Sequence, residues 1–157
     1  MTEREPRAAT PGDGGDLLDV NVWLALAIEE HPHHQPAASY WARRAGDLRF
    51  FCRLSAMSLV RLLTHPRLMA NKPLTLSKAW ALYREFAALP GVAMLGEPES
   101  LDVDLGALVT SKLPSRLFTD AYLATLARRT GLRLVTFDKD FERFGQFSVL
   151  RLSSEEH

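Results

Sequence analysis

A single cysteine, Cys52, is all the thiol that this chain of 157 residues carries. That excludes an internal disulfide and points to a reducing cytoplasm. Net charge is absent too, since 19 basic residues balance 19 acidic ones. The overall balance therefore demands no nucleic-acid partner, although a local basic patch stays open. No apolar run approaches the length that crosses a bilayer. The first residues, MTEREPRAATPGDGG, hold no apolar core for a signal peptide. There is no glycine-rich phosphate loop, no internal repeat and no low-complexity run. What is present, 46% apolar and 24% charged residues, is ordinary globular usage. It suffices for one domain whose core needs no staple.

Pro, Gly and charge dominate residues 1–15, which read as a disordered tail ahead of a domain over 16–152, with 153–157 a second short tail. A first strand is expected over 16–20 and a buried helix over 22–28 (VWLALAI). HPHH breaks that pattern before a helix over 35–45, and RFFC at 49–52 reads as a second strand. A helix over 54–64 stops at Pro66. The clearest helix spans 75–89: Thr75 is its N-cap, Leu76, Ala79, Trp80, Tyr83, Phe86 and Ala87 recur at helical spacing, and Pro90-Gly91 ends it. A strand over 92–95, a weaker helix over 101–113 and a break at Pro114-Ser115 follow. Thr119 reads as the N-cap of a helix starting at Asp120, with Gly131 at its left-handed end. Strands over 132–137 and 147–152 complete the chain. Strands alternating with helices imply an α/β fold with right-handed crossovers.

Three aspartates stand where one kind of structure gives way to another: Asp19, Asp120 and Asp138. Asp19 and Asp138 close apolar strands, and Asp120 opens a helix. In an open parallel sheet, ligands bind outside the carboxyl ends of the strands. Carboxylates gathered there repel one another unless a cation or proton intervenes, and they suit hard cations such as Mg²⁺ or Mn²⁺. Each also has a plain structural reading, a helix cap for Asp120 and an Asx turn for Asp138. Asn21 either steadies Asp19 or a metal-bound water, or caps the helix from Val22. Asp140 either joins the site through water or caps the short FERFG segment. Thr119 and Thr136 are candidate supporting hydroxyls beside their cap and strand roles. His31, His33 and His34 match no structural zinc spacing and read as a solvated loop. Trp23, Trp41 and Trp80 read as core or interface. Arg53, Arg61, Arg67, Arg116, Arg128, Arg129 and Arg133 are scattered, mostly on solvated faces, with some available to an RNA path.

Read in order, LLDVNVWLALA, FCRLSAMSLVRLLTHP and FTDAYLATLARRTGLRLVTFDKDF resemble the PIN-domain ribonucleases, specifically VapC-type toxins of bacterial toxin–antitoxin pairs. The resemblance runs from about Leu17 to Phe144. It implies a three-layer α/β/α sandwich on a mostly parallel five-stranded sheet. It implies an endoribonuclease that cuts single-stranded regions of RNA, tRNA or rRNA loops among them, by attack of a metal-activated water on the phosphodiester. Mg²⁺ or Mn²⁺, a cognate antitoxin and a homodimer are implied with it. By position, Asp19, Asp120 and Asp138 match the first, third and fourth acidic residues of the family, and Asn21 its accompanying polar residue. The second acid is commonly a Glu, and Arg61 stands in its place. An Arg brings positive charge instead of a metal ligand, which either weakens metal affinity or binds the scissile phosphate. The apolar helices at 22–28 and 54–63 are the expected groove for an antitoxin helix.

Three other readings compete. A haloacid-dehalogenase-type phosphatase wants a second Asp two residues after the first, where this chain has Asn21. A PIN domain that binds RNA or a partner without cutting draws its support from Arg61. A flavodoxin-like ligand-binding domain lacks its phosphate loop.

Overall fold

The computed structural model describes residues 14–43 and 47–153. Most of the two expected tails, and the end of the expected helix over 35–45, lie outside the described residues.

Strands β1 (Asp16–Leu18), β2 (Arg49–Phe51), β3 (Val92–Met94), β4 (Arg133–Thr136) and β5 (Val149–Arg151) form one sheet in the order β3-β2-β1-β4-β5. Every pairing is parallel. The central strands are apolar at consecutive positions, as strands covered on both faces must be. Leu17, Phe50 and Leu134 point into one core; their neighbours Leu18, Phe51 and Val135 point into the other. The result is a three-layer α/β/α sandwich, as expected.

Helices α1 (Val20–Ala27), α2 (His34–Arg43), α3 (Arg53–Leu63) and α4 (Leu76–Ala87) cover the Leu18 face. That core centres on Trp23, which lies flat on Phe51 at 3.8 Å and meets Trp41 and Phe86 edge-on. Helices α5 (Leu101–Leu108) and α6 (Phe118–Thr130) cover the Leu17 face. The apolar faces of α1 and α3 are already spent on the core: Val22, Trp23, Leu59 and Leu63 are fully buried.

Several boundaries differ from the sequence reading, each for a local reason. α1 begins at Val20 because Asp19, in extended conformation, caps it through its own carboxylate. Asn21 is therefore inside the helix and caps nothing. α6 begins at Phe118 after a 3-10 turn at Ser115–Leu117, so Thr119 lies in its first turn and is not its N-cap. α6 ends as expected at Gly131, whose φ of 71° is left-handed. α5 stops at Leu108 instead of 113. Gly15, placed in the tail by composition, is buried, and a Cβ there would come within 2.9 Å of Leu132. Trp80 is 47% exposed and belongs to no core.

Candidate active site

The direction of chain travel reverses between β1 and β4: from β1 the chain winds outward to β2 and β3, and later returns to lay β4 and β5 on the other side. Helices flanking such a switch point diverge and leave a crevice at the carboxyl ends of the two strands. Asp19 follows β1 directly and Asp138 follows β4 by two residues. Asp120 reaches the same place from the first turn of α6, where a carboxylate also suits the helix dipole.

Asp19 is 6% exposed and both its oxygens are occupied. Oδ1 accepts from the Val20 amide at 2.7 Å, and Oδ2 accepts from the Thr136 hydroxyl at 2.8 Å. Thr136 is fully buried, and its Oγ also accepts the Asp138 amide at 3.0 Å and the Asn21 side-chain amide at 3.5 Å. Asn21 in turn accepts from the Phe137 amide through Oδ1 at 3.4 Å. Asn21 thus acts on Asp19 through Thr136 instead of by direct contact. Asp138 forms the expected Asx turn, accepting from the Asp140 amide at 2.8 Å. Asp140 does not cap the 3-10 segment Asp140–Phe144 with its side chain.

The electrostatics tie the acids together. Burial pushes the Asp19 carboxyl above its ordinary value, against the pull of its hydrogen bonds to Thr136 and Val20, and the Asp138 charge adds to the rise. Asp120 is pushed up to about 6, first by burial and then by Asp19, Asp138 and Asp140, with Arg116 pulling the other way. Asp140 therefore belongs to the same field, and the Arg116 charge opposes it. The cavity between Asp19 and Asp120, about 90 Å³, is closed on the α3 side by Leu54, Ser55 and Ser58. Arg61, one turn further along α3, is exposed, lines no part of this cavity and forms no ion pair among the described residues. The sequence pattern did not single out Ser55 or Ser58, whose signal was their spacing with Leu54 on one face of α3, and it named Arg116 only among scattered arginines available to an RNA path.

Carboxylates without thiolate or imidazole suit a hard, oxygen-seeking dication. No three His, Cys, Asp or Glu side chains among the described residues are close enough to enclose an ion directly. Mg²⁺ commonly keeps several waters and one or two protein carboxylates, so this looser arrangement fits a largely hydrated ion. The three histidines form no such site: His31 Nδ1 accepts the His33 amide, His34 Nδ1 pairs with the Ala25 carbonyl, and His33 lies on the Phe137 ring.

A parallel sheet with an acidic switch-point crevice defines a class of α/β proteins that handle cations and phosphates, and comparison with known proteins narrows it. The PIN domain family matches residues 17–146. The chain is 36% identical over 143 residues to Ribonuclease VapC41 of Mycobacterium tuberculosis, covering 87% of this chain and 98% of that protein. In structure it is similar to VapC20 of M. tuberculosis, a sarcin-ricin-loop-cleaving toxin (TM-score 0.62, 18% identity, 83% and 95% of the two chains). It is similar also to VapBC2 of Rickettsia felis, solved with a DNA fragment from its promoter (TM-score 0.62, 12% identity, 88% and 99% of the two chains). The chain belongs to the PIN-domain family and, within it, to the VapC ribonucleases.

Proposed function

We propose that this chain is a metal-dependent endoribonuclease that cuts single-stranded regions of RNA as the toxin of a toxin–antitoxin pair. The observation that carries the reading is the placing of Asp19 and Asp120 on one cavity with Asp138 close enough for its charge to raise both carboxyls. Such a cluster is held in the folded state at a cost that a dication removes. Asp19, Asp120 and Asp138 would hold the ion, Mg²⁺ or Mn²⁺. When bound, a divalent ion supplies Lewis acidity toward the phosphodiester and lowers the pKa of water.

The chain's own groups do the rest. Thr136 keeps Asp19 from turning, and Asn21 keeps Thr136 in place. Asp120, whose carboxyl is pushed up to about 6 by burial and the neighbouring acids, is a ligand whose ionised form a cation would stabilise. Arg116, an exposed cation whose charge reaches Asp120, is the proposed contact for a phosphate of the RNA. Arg61 stands apart from the cavity, which supports a role in contacting the RNA backbone over one at the scissile phosphate.

Loops of rRNA or tRNA are the proposed substrates; the relative that cleaves the sarcin-ricin loop supports this class. The proposed partner is a small antitoxin, and a homodimer is proposed with it; Leu76 and Trp80, one turn apart and exposed on α4, are apolar surface available to either. No described helix is long and apolar enough to cross a membrane, and a cytoplasmic site of action completes the proposal.

The test is cleavage of a mixed tRNA and rRNA pool with Mg²⁺, Mn²⁺ or EDTA, beside Asp120→Asn. Cutting that needs the metal and disappears in the variant supports the nuclease. Folded, antitoxin-free protein that cuts under no metal returns the domain to a binding role.

A further inference from the structure

A second groove adjoins the acidic cavity. Leu54 and Thr119 line both, and Arg53, Glu97, Phe118 and Tyr122 complete the second, which holds about 270 Å³. We propose that this groove binds an unpaired nucleobase of the RNA, stacked on Phe118, beside the phosphate that lies at the acids; the proposal rests on the ribonuclease reading.

The groove has the parts that single-stranded RNA recognition needs. Phe118 opens α6 two residues ahead of Asp120, is 48% exposed and has no ring partner among the described residues. A large aromatic left open beside the acidic crevice keeps apolar surface in water, and a stacked base would remove that surface from it. Tyr122, one helical turn on, is half-buried, and its hydroxyl donates to Glu97 Oε1 at 2.6 Å. That bond ties α6 to the segment after β3 and leaves the ring as a fixed wall. Arg53, the first residue of α3, is exposed and forms no ion pair among the described residues. It offers an uncommitted guanidinium to a backbone phosphate. A strand with one phosphate at the acids must pass over an adjoining surface, and this one combines an aromatic platform with a free cation. That pairing, in a groove whose Glu97 is engaged by the Tyr122 hydroxyl, favours RNA over a protein segment.

The test reads binding, not cutting. Anisotropy titrations in EDTA would compare hexameric oligo(A), oligo(U) and oligo(C) with an abasic ribose-phosphate hexamer, using the full chain. Phe118→Ala should raise Kd for at least one base-bearing oligomer about tenfold and leave the abasic one unchanged. Phe118→Trp should restore the affinity. Arg53→Ala should weaken all the oligomers and lower the salt slope by about one phosphate contact. Phe118→Ala binding every oligomer like the parent, with circular dichroism showing it folded, overturns the proposal and leaves the groove to a protein segment. An equal loss on the abasic hexamer overturns it too, because the ring would then act through the fold. If metal-dependent cleavage is absent but the base-specific loss is found, the nuclease reading falls and the base subsite stands.

Discussion

One hydroxyl organises the acidic crevice. Thr136 Oγ donates its single proton to Asp19 and accepts from the Asp138 amide and from Asn21, so all its bonding capacity is used. A Thr136→Val variant keeps the β-branched shape but leaves Asp19 Oδ2 and the Asp138 amide without this partner. It should lose about 1–3 kcal/mol of stability in denaturant titrations. Affinity for Mn²⁺ should fall about tenfold or more, as expected for a group that orients a ligand; unchanged affinity would deny Thr136 that role. Asp120 makes a prediction of opposite sign. Its carboxyl stands near 6 in the fold against 3.8 for the free group, so the folded state holds more protons across that window. Stability of metal-free protein should therefore fall as pH rises from about 4 to 6. Asp120→Asn should abolish cleavage yet stabilise the metal-free chain by roughly 1 kcal/mol at pH 7, discounted because the group is half open to solvent. The gain should vanish below about pH 4. A variant less stable than the parent at pH 7 would show that the repulsion is not felt.

At the scale of elements, the two ends of β1 have separate duties. Asp19 closes its carboxyl end in the crevice, whereas Asp16 opens it in a buried ionic network. Asp16 is 1% exposed, takes both a bidentate contact from Arg133 at 2.9 Å and the Tyr40 hydroxyl, and so links α2, β1 and β4. Burial and the neighbouring carboxylate push the Tyr40 hydroxyl well above its ordinary pKa, and Arg133 is raised by the same carboxylate. Asp16→Ala leaves Arg133 half-buried without its partner and should cost about 3 kcal/mol or more. Residual activity at a temperature where the variant stays folded should match the parent, because the network lies at the opposite end of the strand. A variant that is stable but inactive would contradict that division. The elements were legible where periodicity or punctuation is strong, as in α4 and at Gly131. They were misread at α1 and α6, where the cap is decided by which residue turns its carboxylate or carbonyl toward the first amides. Asp19 can do this only because β1 stops at Leu18.

For the whole molecule, the acids meet because β1 and β4 are neighbours although 117 residues separate Asp19 from Thr136. A cation held by that crevice would bind the folded chain and not the unfolded one, and would stabilise the fold by mass action. Mg²⁺ or Mn²⁺ at about a hundred times its Kd should raise Tm by roughly 5–10 °C. EDTA should reverse the rise and Asp120→Asn should blunt it. A melting curve indifferent to divalent ions would count against the whole acidic-site reading.

The sequence by itself determined the class of fold and the residues worth asking about. Consecutive apolar positions in short strands require a sheet covered on both faces, and acids at the ends of those strands fall at its carboxyl edge whatever the strand order. Only the tertiary structure decided which acids share a field, because proximity between β1, β4 and α6 is a property of strand order and not of spacing along the chain. It separated Arg61 from the cavity that Ser55 and Ser58 close, brought the Arg116 charge within reach of Asp120, and left Phe118 open beside the acids. These are outcomes of how α3 and α6 roll on the sheet. That roll is set by packing across the two cores, to which no local pattern has access.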